Sequence, residues 1–137
     1  MIQLRSLLAA PVLLASLLAC PVVRADAVAD LLRQYEAGGG SQFNARDGEA
    51  LWSKANVDAK TGETRRCNGC HTEDLRRPGK HVTTGKVIEP MAPSVNPKRL
   101  TEVEKIEKWF GRNCKWTVGR ECTAQEKGNV LVMLRDK

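Results

Sequence analysis

The chain has 137 residues, of which 28% are charged, and a formal net charge of +6 at pH 7. This length accommodates one domain, and three Trp, two Phe and one Tyr provide little large apolar volume for its core. The modest positive charge and the lack of a nucleic-acid-binding motif exclude nucleic acid as the expected partner.

The N-terminal segment has the composition of a secretory signal peptide. Its first residues are positively charged, residues 6–23 are uncharged and rich in Leu and Ala, and a small-x-small cleavage site ends at Ala25. We therefore expect residues 1–25 to be a signal peptide that is cleaved near Ala25. The mature domain would then be residues 26–137, located in the periplasm.

Two alternatives for this segment remain open. The uncharged stretch is at the short end of what spans a membrane, so it could stay as an uncleaved anchor. A Leu-Leu-Ala sequence before Cys20 also resembles a lipoprotein signal, in which Cys20 would carry the lipid. Pro11, Pro21 and the cleavage site favour simple export.

Two helices are predicted at the start of the mature domain. Asp26 can cap a helix that runs to about Ala37, where three consecutive glycines stop it. Asn44 can start a second helix that we expect to run to about Asn56. Gly48 in this helix would let another helix approach closely.

The sequence Cys67-Asn68-Gly69-Cys70-His71 is the C-x-x-C-H signature of c-type haem attachment. In such sites two thiols bond to the haem vinyl groups and the histidine becomes an axial ligand of the iron. One motif predicts one haem c, with Cys67 and Cys70 as its thioether residues and His71 as the proximal iron ligand. The haem would also fill the thin core, so we expect the haem-free chain to fold poorly.

Two other functions compete for the same motif. A thioredoxin-like dithiol needs alternating strands and helices around the cysteines, and no such pattern is visible. A zinc site formed by Cys67, Cys70, His71 and His81 would lack the second ligand pair that usually comes from a distant element. The histidine within the motif and the predicted export favour haem.

Residues 78–99 are predicted to be a loop, because they contain four prolines and two glycines. Met91 lies in Pro90-Met91-Ala92-Pro93, the kind of loop that presents methionine to iron in electron-transfer cytochromes. Met91 is therefore a candidate distal ligand, although a core methionine fits equally well. His81 fits a solvated histidine in a basic, glycine-containing loop better than an iron ligand.

Two capping boxes predict the last two helices. Thr101-Glu102-Val103-Glu104 opens the first and Thr123-Ala124-Gln125-Glu126 opens the second, in which Met133 is expected in the core. Asn113 falls on the same stripe of the first helix as three apolar residues. Its amide either caps the C-terminal end of that helix or turns its oxygen towards iron. Together the elements predict an all-α fold.

Four cysteines remain once Cys20 has left with the signal peptide. Haem attachment uses two of them, which leaves Cys114 and Cys122 free to pair in an oxidising compartment. The charge of the mature domain is uneven, and residues 54–86 around the haem motif carry eight basic and four acidic side chains. A basic surface near a haem edge would steer an acidic redox partner.

Over roughly residues 45–134 the chain resembles the sphaeroides haem protein type of cytochrome c. The sequences that carry the resemblance are specific in combination: Cys67 to His71, Thr84-Gly85-Lys86, Pro90 to Ser94, Val103, Glu107-Lys108-Trp109, Arg112-Asn113-Cys114, Gly119-Arg120 and Cys122-Thr123. The resemblance implies a helical fold like that of class I cytochromes c, wrapped around one covalent haem.

The resemblance also implies a complete ligand set. In that family the distal iron ligand is an asparagine directly before a disulfide cysteine, which corresponds here to Asn113 and to a Cys114–Cys122 disulfide. Met91 would then pack near the haem without binding iron. The implied partners are small gaseous ligands and redox proteins, among them a dihaem cytochrome c and a membrane cytochrome b.

Ligand chemistry agrees with this resemblance. A neutral amide oxygen is a hard, weak ligand that suits ferric iron better than ferrous iron, so reduction should release Asn113 and open a site for O2 or NO. We therefore expect an exported electron-transfer cytochrome with redox-gated gas binding. The alternative is a plain electron carrier with His71 and Met91 as ligands. No acid/base pair indicates an enzyme, although a side activity toward O2 or NO stays open.

Overall fold

The computed structural model describes residues 26–137, a range that contains five helices and two pairs of very short strands. The helices are α1 (Ala27–Ala37), α2 (Ala45–Ser53), α3 (Asn68–His71), α4 (Val103–Thr117) and α5 (Ala124–Arg135). The antiparallel strand pairs are β1 (Asn56–Val57) with β2 (Thr64–Arg65), and β3 (Gly79–Lys80) with β4 (Val87–Ile88). The predominance of helix confirms the predicted fold class. The β3–β4 pair lies within the predicted loop of residues 78–99, and the β1–β2 pair begins at Asn56, the predicted end of the second helix.

The N-terminal region lies outside the described residues. The predicted signal peptide, its cleavage site at Ala25 and Cys20 all belong to that region, so they stay predictions. Between residues 26 and 137, none of the helices is both long enough and apolar enough to span a membrane.

Both predicted caps at the start of the mature domain form. The Asp26 side chain accepts hydrogen bonds from two backbone amides of α1, and Asn44 accepts one from the Asp47 amide at 2.8 Å. The predicted end of α2 is wrong, because the helix stops at Ser53. Asn56 pairs instead with Arg65 in the first strand pair.

Of the two predicted capping boxes, one forms. Thr123 and Glu126 exchange hydrogen bonds between side chain and backbone at the start of α5. The box predicted at Thr101 is wrong. Helix α4 takes Glu102 as its N-cap without a side-chain bond, and the Thr101 hydroxyl donates to the Lys98 carbonyl at 3.1 Å, so it closes the preceding turn instead.

Helices α2 and α5 approach most closely at Gly48. A Cβ at this position would overlap the Asn129 carbonyl oxygen and lie 2.8 Å from Met133 Cβ, which confirms the predicted close approach. The buried Asn129 side chain accepts bonds from the Asn44 amide and from Gln125 Nε2, each at 3.0 Å. Its polar oxygen is therefore satisfied while it joins α5 to the start of α2.

Two apolar clusters form the core. The first joins α1, α4 and α5 and contains Ala27, Val28, Leu31, Tyr35, Ile106 and Leu131. The second joins α5 to the segments after α3 and contains Leu75, Ala92, Val130, Met133 and Leu134. Met133 is 1% exposed, which confirms its predicted place in the core.

A polar triad anchors the middle of α4 beside the first cluster. The Tyr35 hydroxyl donates to one Glu107 oxygen, and Lys127 Nζ donates to the other at 2.7 Å. Burial, together with the bond to Glu107, raises the pKa of the Tyr35 hydroxyl well above its usual value. Because α1 and α5 both hold Glu107, the helix that carries Asn113 is fixed in place.

The C-terminal part of α4 is tied to the segment that precedes α5. Cys114 and Cys122 have their sulfur atoms at bonding distance, with the Cα atoms 5.6 Å apart. This spacing lies in the usual range for a disulfide, about 4.4–6.8 Å. The pair therefore closes a short loop around the end of the helix.

We predict that Gly48→Ala destabilises the haem-loaded protein by about 1–3 kcal/mol, because the new methyl group overpacks the contact with α5. Gly69→Ala is the control, since Gly69 is exposed and a Cβ at this position in α3 meets nothing within 4 Å. That variant should keep or gain stability, because alanine favours helix over glycine. Denaturant unfolding measures both, and equal losses in the two variants would contradict the close-packing account.

We predict that changing Cys114 and Cys122 together to serine lowers the free energy of unfolding by about 2–3 kcal/mol, from the entropy of the closed loop. Urea unfolding with and without dithiothreitol measures this loss. The wild-type protein should lose that stability on reduction, whereas the double variant should not respond. A wild-type midpoint that is indifferent to dithiothreitol would show that the pair is not bonded.

Candidate functional site

Helix α3 holds the C-x-x-C-H motif in one helical turn. The His71 amide donates to the Cys67 carbonyl at 3.1 Å, and Thr72 ends the turn with a φ of 64°. The side chains of Cys67, Cys70 and His71 all line one cavity. The local fold therefore presents both thiols and the imidazole to the same space.

The cavity has a volume of about 1730 Å³, and its walls are mostly apolar. This exceeds the range of about 300–1,000 Å³ that is usual for small-molecule sites, so there is room for a large planar group. The cavity brings together every residue that the sequence analysis singled out as a site residue: Cys67, Cys70, His71, Met91, Asn113, Cys114 and Cys122.

The His71 ring is held in an apolar setting. It lies 5.3 Å from the ring of Trp52, centroid to centroid, with the planes tilted by 40°. Burial, followed by the nearby charge of Arg99, lowers the pKa of His71 to about 4. The imidazole is therefore neutral at physiological pH, which is the form that binds a metal.

Three buried nitrogen atoms have no hydrogen-bond partner within residues 26–137. They are His71 Nδ1, Trp52 Nε1 and Arg65 Nε, and all three residues line the cavity. Buried polar atoms are normally paired, so unpaired ones indicate where a bound group makes contact. The side chains that carry these atoms all border the cavity, so a group bound there would change their surroundings.

The thiol chemistry does not fit a dithiol oxidoreductase. Burial raises the pKa of the Cys67 thiol to about 11, although a hydrogen bond with Thr117 opposes this. Reactive cysteines of such enzymes have a lowered pKa instead. The two-residue strands also form antiparallel pairs, which is not the alternating pattern that a thioredoxin-like fold needs.

The zinc alternative lacks a ligand cluster. Within the described range, the structure groups no three or more His, Cys, Asp or Glu side chains in a way that could hold a metal ion. Nδ1 of His81 accepts hydrogen bonds from the Thr83 and Thr84 amides, at 3.3 and 3.2 Å. His81 therefore stabilises the turn between β3 and β4.

Gly79 lets the second strand pair pack directly on α3. A Cβ at this position would overlap the Cys70 carbonyl oxygen and lie 2.9 Å from the His71 Cα. A side chain would push β3 away from the motif. The strand pair therefore supports the segment that presents Cys70 and His71.

Arg65 joins the strand before the motif to the last turn of α4. Its guanidinium group lies 4.6 Å from the centroid of the Trp116 ring, and Nη1 donates to the Trp116 carbonyl at 3.0 Å. Asp58 pairs with the same group at 2.7 Å. This contact could not be predicted from the sequence. The one local signal for it is that an arginine stands two residues before Cys67.

Asn113 lies inside α4, and this position excludes the capping interpretation. The helix continues to Thr117, and Val118 is the C-terminal cap. Asn113 is exposed, and it lines the same cavity as His71. A polar amide on a cavity wall, rather than at a helix end, is available to a bound group.

Met91 lines the same cavity but is tied to the segment that follows α3. Its amide donates to the Leu75 carbonyl at 2.9 Å, and its side chain packs against the second cluster. Trp52, whose ring lies against His71, packs against that cluster too. Met91 and Trp52 therefore share one set of core contacts.

Arg99 holds the loop around Met91 in place. Its Nε donates to the Pro90 carbonyl at 2.8 Å and its Nη2 donates to the Glu89 carbonyl at 2.7 Å. Arg99 also lines the cavity. No feature of the sequence distinguished it from the other basic residues of the loop.

The residues present fit one covalently attached haem. Two thiols stand three positions apart beside a neutral histidine, and the cavity in front of them is large and apolar. The thiols suit thioether bonds to the haem edge, and the imidazole suits an axial position on iron. The confinement of the unpaired buried nitrogens to residues of this cavity agrees with that assignment.

Comparison with known proteins places the chain in a family. Residues 38–134 match a domain family described as being of unknown function, DUF1924. The chain is 42% identical over 106 residues to the cytochrome c-type protein SHP of Cereibacter sphaeroides, covering 77% of this chain and 81% of that protein. It is 35% identical over 88 residues to cytochrome c'' of Methylophilus methylotrophus, covering 64% of this chain and 60% of that protein.

Solved structures give the same result. Oxidised SHP, described as an oxygen-binding cytochrome c, superposes with a TM-score of 0.71 at 39% identity, over 80% of this chain and 96% of that one. Oxidised cytochrome c'' superposes with a TM-score of 0.69 at 30% identity, over 79% and 92%. Both confirm the class I-like helical fold. The chain therefore belongs to the DUF1924 family and is a cytochrome c of the SHP type, which carries one haem c.

Proposed function

We propose that this protein is an exported electron-transfer cytochrome whose iron also binds small gases, O2 or NO, after reduction has released Asn113. The observation that carries the proposal is the place of Asn113 inside α4, on the wall of the cavity that His71 also lines. The description of the SHP relative as oxygen-binding supports it.

Three residues would hold the haem, two of them in α3 and one at the N-terminal cap of that helix. Cys67 and Cys70 would form the thioether bonds, and His71 would be the proximal iron ligand. The bound haem supplies a one-electron couple and an iron atom that accepts a ligand on its distal side. Trp52 keeps the His71 ring in an apolar environment, and burial keeps that ring neutral.

Asn113 supplies the redox-dependent part of the proposal. Its neutral amide oxygen is a hard, weak donor, which prefers the ferric over the ferrous ion. On reduction Asn113 would be released, and its NH2 group would be a hydrogen-bond donor available to a bound gas. Glu107 anchors α4 and Cys114 follows Asn113 directly, so release would need only a movement of the side chain.

The packing of Met91 speaks against the plain electron carrier with His71 and Met91 as ligands. The Met91 backbone is bonded to Leu75, only four positions after His71, and its side chain shares a cluster with Trp52. Asn113 would instead be the second iron ligand, since it lines the same cavity from α4.

Export is part of the same proposal. The sulfur atoms of Cys114 and Cys122 lie at bonding distance, and disulfides persist mainly outside the reducing cytoplasm. A periplasmic location agrees with the composition of residues 1–25. The redox partners would then be periplasmic or membrane-bound, as the implied dihaem cytochrome c and membrane cytochrome b are.

We predict opposite effects for two substitutions of Asn113. Asn113→Ala removes the distal donor, so the ferric iron should lose its sixth protein ligand and the ferric spectrum should shift accordingly. Asn113→His adds a softer nitrogen ligand that also binds ferrous iron, so the association rate of carbon monoxide with the ferrous protein should fall about 100-fold or more if release costs roughly 3 kcal/mol. Absorption spectroscopy and flash photolysis measure the two effects.

Met91→Ala is the matched control, because Met91 lines the same cavity. It should keep the wild-type ferric spectrum and fast carbon monoxide binding. If Met91→Ala instead loses a near-infrared sulfur-to-iron band while Asn113→Ala keeps the wild-type spectrum, the plain electron carrier is correct and the proposal is wrong.

We also predict the N-terminus of the exported protein. Expression with haem-maturation machinery should yield a chain that begins at Asp26 and carries one haem, because the cleavage site ends at Ala25. Intact-mass spectrometry of the periplasmic fraction measures both. A membrane-bound product that retains residues 1–25, or one that begins with a lipid-modified Cys20, would refute cleavage at Ala25.

A further inference from the structure

The outer face of α4 carries a row of exposed basic side chains beside the cavity. Lys105, Lys108, Arg112 and Lys115 are all exposed, and all four line the mouth of the cavity. Residues three, four and seven positions apart share one face of a helix, so these four side chains form one continuous surface. We call Lys105, Lys108, Trp109, Arg112 and Lys115 the α4 basic face.

Carboxylates neutralise this face only at its ends. Lys105 pairs with Glu102 at 3.5 Å, and Lys115 pairs with Glu121 at 3.0 Å. Within residues 26–137, Lys108 and Arg112 have no carboxylate within ion-pair distance. The middle of the face therefore presents uncompensated positive charge to the solvent.

An exposed indole lies next to that charge. Trp109 is 46% exposed, and it is the one aromatic among the exposed large hydrophobic residues of the described range. The Arg112 guanidinium lies 5.3 Å from the centroid of its ring. Tryptophan and arginine are the residues that most often anchor protein interfaces.

The face also lies close to the reactive side of the cavity. Trp109 stands four positions, about one helical turn, before Asn113, and both line the cavity. A partner that covers Trp109 would therefore stand beside the haem.

We propose that the α4 basic face is the docking site for the acidic surface of an electron-transfer protein. Positive charge around the cavity steers the partner, and Trp109 with Arg112 forms the desolvated contact at the centre. This docking site adds a partner surface to the site of the proposed function. It rests on that function in one respect, which is that the docked partner exchanges electrons with the haem.

Charge and shape favour a protein over an anionic membrane as the occupant. Membrane-surface helices bury a broad apolar face beneath a basic one. The inner side of α4 is already occupied, because Ile106 packs in the first cluster and Glu107 bonds to Tyr35 and Lys127. Trp109 alone is too small an apolar surface for insertion.

The test measures the rate at which an acidic flavodoxin hydroquinone reduces the ferric holoprotein, by stopped flow at low and high ionic strength. One variant changes Lys105, Lys108 and Arg112 together to glutamine. The matched control changes Arg46, Lys54 and Lys60 together to glutamine, since these are also exposed and lie away from the cavity lining. Both variants lose the same three charges.

The α4 variant should lose about 10-fold or more in rate constant at low ionic strength, whereas the control should stay much closer to wild type. High salt should bring the wild-type rate down towards that of the α4 variant, because exposed charges are screened. Trp109→Ala should weaken the complex without changing the salt dependence, and Trp109→Phe should restore part of the loss.

Two results would overturn the inference. One is an equal loss in both triple variants, which would indicate net charge alone. The other is an unchanged flavodoxin rate in the α4 variant combined with lost binding to phosphatidylglycerol vesicles, which would make the face a membrane site. Carbon monoxide binding is measured on the same samples, so failure here is distinct from failure of gas binding. The reduction potential is measured as well, so that the rate constants are compared at a known driving force.

Discussion

The cavity between α3 and α4 is the constraint on which the rest of this structure depends. The two apolar clusters lie on either side of α5, and Leu100 and Phe110 are the residues that contact both. A chain with so few large apolar side chains is expected to need a bound group to complete its core. Covalent attachment at Cys67 and Cys70 would place that group at one wall, with the other proposed site residues on the remaining walls.

Local sequence signals predicted the start of a helix correctly where a capping residue alone determines it. Asp26, Asn44 and the Thr123–Glu126 box begin their helices as expected, because each satisfies free backbone amides at a helix start. The predictions failed where tertiary contacts compete. Thr101 has the residues of a capping box, yet its hydroxyl closes the turn at Lys98. The strand pairs were missed because two-residue strands leave no periodic pattern.

The site residues divide in the same way, into those that a local motif identifies and those that only the tertiary structure reveals. The C-x-x-C-H motif and the cysteine count are local, so Cys67, Cys70, His71, Cys114 and Cys122 could be identified without a structure. Asn113 needed the resemblance, because one amide on an apolar stripe fits a helix end as well as a cavity wall. Trp52, Arg65 and Arg99 contact the site from positions that no spacing rule connects to it. Their roles depend on burial and on contacts between distant segments.

Helix α4 combines the two functions proposed for this protein, because Asn113 and the α4 basic face both border the cavity from this helix. The central claim is that reduction frees the iron from a protein ligand, and resonance Raman spectra of the wild-type protein in both oxidation states test it most directly. The account predicts a six-coordinate ferric form and a five-coordinate high-spin ferrous form before any gas is added. A ferrous form that remains six-coordinate and low spin would contradict it.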